Sequence, residues 1–192
     1  KLWKEDGVYY AVVGSRAADG SGQIVLFSSV DLRHWEFCTV LDRCENRIGR
    51  MWECPDFFPV GDPDRNTRVL VISPQDVTAE WPEFHNGNNA LFLIGEYEKE
   101  NHLFCRNRVQ SADYGLDYYA PQTTKAPDGR RILIAWMKSW DTNIFPEGFS
   151  WNGMTTVPRE VSIREEDGRI LQNPVRELER YHGTPVCAEQ VH

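Results

Sequence analysis

Three stretches of this sequence repeat one pattern, a polar turn followed by an apolar strand. They are Asp6-Gly7-Val8-Tyr9-Tyr10-Ala11-Val12-Val13-Gly14, Asn66-Thr67-Arg68-Val69-Leu70-Val71-Ile72-Ser73 and Asp128-Gly129-Arg130-Arg131-Ile132-Leu133-Ile134-Ala135-Trp136. Their spacing, roughly 60 residues, is that of a repeated supersecondary unit. Helical periodicity is scarce. Short apolar or alternating runs bounded by Gly, Asp, Asn and Pro predict strands at Val8–Val13, Ile24–Ser29, Trp35–Leu41, Glu53–Pro59, Arg68–Ser73, Ala90–Tyr97, Leu103–Gln110, Tyr118–Thr124, Arg131–Met137, Arg159–Arg164 and Arg169–Gln172. A short helix is expected after Pro174. The second and third copies of the pattern each follow another strand; the first has none before it. The expected fold is all-β, about three propeller blades, each a four-stranded antiparallel meander with one strand missing from the first. A β-sandwich with chance similarity among the three stretches is the alternative.

Composition narrows the partners. The 192 residues are 41% hydrophobic and 26% charged, as in an ordinary globular domain, and no apolar run is long enough for a membrane helix. A net charge of -8 repels phosphates and anionic lipid, so neither nucleic acid nor a membrane is expected as partner. The five cysteines show no CxxC spacing, and no histidine cluster suits a metal, so no metal site is expected. Free thiols and the lack of an N-x-S/T acceptor site point to a reducing, cytoplasmic location. The opening Lys1-Leu2-Trp3-Lys4 has no Met and no signal peptide, so the sequence reads as a piece of a longer chain. Seven tryptophans suit either a core or a sugar site.

The first strand of each propeller blade lines the central channel, and its end faces a shared pocket. Met51-Trp52-Glu53-Cys54-Pro55-Asp56-Phe57-Phe58 places two carboxyls in such a strand, against strand propensity. Three apart, they would face opposite sides of a regular strand, while Pro55 implies an edge or a bulge. A carboxyl in apolar surroundings there is suited to proton donation at neutral pH. A glutamate bonded to a backbone N–H at the channel rim is the alternative, and the residues alone leave both open.

Trp52-Glu53-Cys54-Pro55-Asp56 resembles the WECPD signature of glycoside hydrolase family 32, the invertase-type β-fructosidases, which include sucrose-6-phosphate hydrolases. Five further segments resemble family motifs in order. They are Ser73-Pro74-Gln75, Asp113 to Thr123 (D-x-G-x-D-x-YAPQT), Gly129-Arg130-Arg131-Ile132 with Ala135-Trp136-Met137, Met154 to Glu160 (M-T-x-PRE), and Gln172 to Leu178, an exit towards a β-sandwich. The resemblance implies a five-bladed β-propeller and retaining hydrolysis of terminal β-fructofuranosides such as sucrose or sucrose 6-phosphate, without a cofactor. It makes Glu53 the general acid/base. It suggests Trp52, Cys54, Tyr119, Gln122 and Trp136 as substrate-binding residues. A fructosyltransferase or a non-catalytic carbohydrate-binding propeller are the alternatives on the same fold.

The family's WMNDPNG-type motif, whose Asp is the nucleophile, does not occur in these residues, nor does its Arg-Asp-Pro motif. The expected organisation is therefore residues 1–173 as most of blade three and all of blades four and five, then 174–192 as a linker. Blades one and two, a sandwich domain and two of the three catalytic acids would lie in missing parts of the same chain, and a sugar is the one other partner expected. Asp113-x-Gly115-x-Asp117 reads as a turn rather than a calcium loop, and Cys54 as a packing thiol rather than a nucleophile. Arg47 or Arg50 could meet a substrate phosphate. The segment Lys138–Val157, rich in Trp and Phe, reads as a rim loop.

Overall fold

The computed structural model describes residues 1–44, 47–80, 83–138, 140 and 147–185. Twelve strands form three four-stranded antiparallel sheets. The first holds β1 (Leu2–Glu5), β2 (Val8–Arg16), β3 (Gly22–Ser29) and β4 (Glu36–Arg43), in that order. The second holds β5 (Met51–Pro59), β6 (Thr67–Gln75), β7 (Leu91–Glu98) and β8 (Leu103–Ser111). The third holds β9 (Tyr119–Lys125), β10 (Arg131–Trp136), β11 (Arg159–Arg164) and β12 (Arg169–Pro174). Each sheet is a meander, as the repeat implied.

One expectation is corrected. The first sheet is not short of a strand: Leu2–Glu5 pairs with β2, Glu5 opposite Val8. The hairpin between them turns through Asp6 (φ 50°) and Gly7 (φ 84°), the two positive values of a type I′ turn. The same Asp-Gly pair, Asp128-Gly129, sits between β9 and β10. The predicted short helix is a 3₁₀ helix, Arg176–Tyr181. Arg130 holds it to the third sheet by pairing with Glu177 as well as with Glu160 and Asp128. Residues 186–192 of the expected linker lie outside the described residues.

The sheets stack face to face. Tyr10, Val12, Ile24 and Leu26 of the first pack on Trp52, Phe57, Leu70, Ile72, Leu91 and Leu93 of the second. Phe58, Val69, Val71 and Phe92, on the opposite face of the second, pack on Leu133, Ala135, Val161 and Ile170 of the third. Burial on both faces explains why β6 reads as an uninterrupted apolar run rather than an alternating one. Each fully buried aliphatic side chain here contributes about 1.5–3 kcal/mol. Strands β1, β5 and β9 each form one edge of their sheet, and side chains join them across the space between. No helix among the described residues is long and apolar enough to cross a membrane.

Candidate active site

The site begins with a fault in β5. Glu53 lies opposite Ser73 and Asp56 opposite Val71, so Cys54 and Pro55 together face only Ile72. That is a β-bulge, with one extra residue on the inner strand. Cys54 takes φ 48°, rare for a residue with a side chain, and Pro55 has no N–H to lose from the ladder. The bulge resets the strand's alternation. Trp52 and Phe57, five apart, share one core cluster, and Glu53 and Asp56 both meet residues of β9. Regular alternation had put the two carboxyls on opposite sides.

The inner strand of the next sheet carries the same device. Tyr119 lies opposite Trp136 and Gln122 opposite Ile134, with Ala120 at φ 50° and Pro121 next. Glu53-Cys54-Pro55-Asp56 and Tyr119-Ala120-Pro121-Gln122 are thus equivalent bulges in neighbouring blades. Side chains lace them together. The Tyr119 hydroxyl donates to Glu53 Oε2 at 2.9 Å, Gln122 Nε2 to the Cys54 carbonyl at 2.9 Å, and Thr123 to Asp56.

Glu53 is half-buried, and both of its hydrogen bonds land on one oxygen. Besides Tyr119, Gln75 Nε2 donates to Oε2 at 3.0 Å. Among the described residues none donates to Oε1. Burial, and then the neighbouring Glu53 carboxylate, push the Tyr119 phenol far above its ordinary range, so it stays a donor across neutral pH. Gln75 belongs to the Ser73-Pro74-Gln75 segment and is not among the expected site residues. Its position two residues beyond Ser73, the partner of Glu53, is the signal for its role.

The remaining expected residues divide. Cys54 is exposed, its thiol held in the protonated form by the surrounding protein and by Glu53. Gln122 is exposed beside it, and Tyr119 is buried. Trp136 ends β10 opposite Tyr119, half-buried, with its ring edge-to-face on Trp140 at 5.3 Å. Trp52 departs from the expectation. It is 0% exposed and its indole N–H donates to the Ile48 carbonyl at 2.8 Å. Adjacent residues of a strand point to opposite faces, so Trp52 anchors β5 in the core while Glu53 faces outward. Asp113 forms a turn, accepting from the Gly115 N–H and pairing with Arg159. In the expected rim loop Phe149 and Trp151 are exposed and edge-to-face; Phe145 lies outside the described residues. Among the described residues no three His, Cys, Asp or Glu side chains gather as a metal site.

Two donors thus fix the Glu53 carboxyl on the inner strand of the second sheet, beside the equivalent bulge of the third. The sequence model of the glycosyl hydrolases family 32 N-terminal domain matches residues 1–174, and the chain belongs to that family, whose N-terminal domain is a five-bladed β-propeller. It is 37% identical to a raffinose invertase of Escherichia coli over all of its own length and 41% of the relative's. It is 36% identical to a sucrose-6-phosphate hydrolase of the same organism, covering 36% of that protein. Among solved structures, a family 32 β-fructofuranosidase of Bombyx mori superposes with a TM-score of 0.84 at 33% identity, over 93% of this chain and 37% of that one. The chain thus spans about two fifths of the relatives it matches.

Proposed function

We propose that the whole protein is a retaining β-fructofuranosidase acting on sucrose or sucrose 6-phosphate, with Glu53 as its general acid/base. The observation that carries this reading is the Glu53 carboxyl, held through Oε2 with no described residue donating to Oε1. The relatives' sugar chemistry supports it. Glu53 protonates the leaving oxygen from Oε1 while a second carboxyl, outside these residues, attacks the anomeric carbon. The same oxygen then takes a proton from the incoming water. Two carboxyls about 5–5.5 Å apart fit retention. Tyr119 orients Glu53; Gln122, Cys54 and Trp136 border the sugar. No cofactor enters this chemistry. The cytoplasm is the compartment that suits Cys38, Cys44, Cys54 and Cys105, all free thiols. The test is Glu53→Gln in the full-length protein. Sucrose turnover is expected to fall by roughly 10²–10⁴-fold with the melting temperature kept. Unchanged turnover would remove Glu53 from the chemistry.

A further inference from the structure

The most enclosed carboxylate among the described residues plays no part in the mechanism above. Asp56 is 1% exposed, yet it is three residues from Glu53 on the same bulge. Three contacts from described residues converge on its Oδ2. The Thr123 backbone N–H donates to it at 2.8 Å, the Thr123 hydroxyl at 2.7 Å, and Lys1 Nζ lies at 3.2 Å. Lys1 also donates to the Thr123 carbonyl. Arg131 Nη1 donates to the Thr123 hydroxyl at 3.3 Å, which completes the ring of donors.

The reason is found at the edge of β9. An inner strand has no ladder partner on its channel side, so its backbone groups there are orphans. A buried orphan N–H is costly. Thr123 is 2% exposed, and its N–H and C=O are both met, by Asp56 and by Lys1. The two charged side chains that do this also meet each other. Asp56 thus ties the inner edges of all three blades at one point. The carbonyl of Cys54, between Asp56 and Glu53, is held by Gln122, the residue before Thr123. The segment carrying Glu53 is therefore pinned on both sides of the strained Cys54.

We infer that Asp56 is a positioning residue, its carboxylate locking the β5 bulge to β9 and β1 so that Glu53 Oε1 is aimed at the leaving oxygen. The inference rests on Glu53 being the acid/base. A misplacement on the order of 1 Å can cost about 10²-fold in rate.

The test is a double-mutant cycle in the full-length protein with sucrose as substrate. Asp56→Asn keeps an acceptor for Thr123 but leaves Lys1 without its counter-charge. Thr123→Val removes the hydroxyl bond and keeps the backbone one, so it serves if the first variant does not fold. Each is expected to lower kcat, Asp56→Asn by about 10-fold and Thr123→Val by a few-fold, with KM nearly unchanged. In a Glu53→Gln background the same changes are expected to cost less than about 2-fold, because a misaimed amide loses nothing further. An equal loss in both backgrounds, or no loss in the active one, would overturn the positioning role. Full activity of Glu53→Gln alone would instead overturn the acid/base reading.

Discussion

Tyr119 sets a fixed donor against the Glu53 carboxyl. Its phenol cannot ionise near neutral pH, since burial first and Glu53 second oppose the charge. It therefore keeps its one proton to donate at every working pH, to Glu53 Oε2 at 2.9 Å, with the Ser73 carbonyl at 3.2 Å as the more distant acceptor. Gln75 alone would let the carboxylate pivot about a single bond. A hydrogen bond to a charged group contributes about 1.5–3 kcal/mol. Tyr119→Phe in the full-length protein is thus expected to slow sucrose turnover by roughly 10- to 100-fold, measured as kcat with KM little changed. Wild-type kcat would mean that Gln75 suffices.

The strand carrying Glu53 is aimed by the sheet beside it as much as by its own bonds. A Cβ placed on Gly14 of β2 would lie 2.3 Å from the Trp52 carbonyl oxygen, and one on Gly22 of β3 would lie 2.9 Å from the Trp52 nitrogen. Backbone meets backbone at both points, so only glycine fits. Gly14→Ala must push β5 away from the first sheet, at a cost of about 1–3 kcal/mol by analogy with overpacked cores. A lowered melting temperature together with reduced kcat is expected, read by calorimetry and sucrose turnover. No change in either would show that β5 is set independently of its neighbour. Much at this scale was legible in the sequence. Apolar runs between Gly, Asn and Pro located eleven of the twelve strands, because burial on one or both sheet faces writes directly into hydropathy. Leu2–Glu5 escaped, being only four residues, two of them charged. The side on which Asp56 falls escaped too. Pro55 signalled a bulge, but only the extra residue in the register turns Asp56 towards β9. The burial of Trp52 follows from strand alternation, which places it on the face opposite Glu53.

At the scale of the molecule, the site belongs to no single blade. Tyr119 reaches Glu53 across 66 residues of sequence, and Thr123 reaches Asp56 across 67. These contacts form only once the second and third sheets have stacked, so the apolar cores between blades and the polar lacing of their inner edges hold one another in place. The middle sheet, covered on both faces, is the rigid element on which Glu53 stands. The work proposed for that assembly is proton transfer by a single fixed oxygen. It is tested most directly by rapid-mixing kinetics on full-length protein carrying Glu53→Gln. The substrate is an aryl β-fructofuranoside, whose leaving group departs without a proton. A burst of released phenol of about one per site is expected, then a slow steady state, because water still lacks its base; sucrose should give no burst. Equal losses on both substrates with no burst would contradict it and leave Glu53 as a group that holds the sugar rather than one that moves a proton.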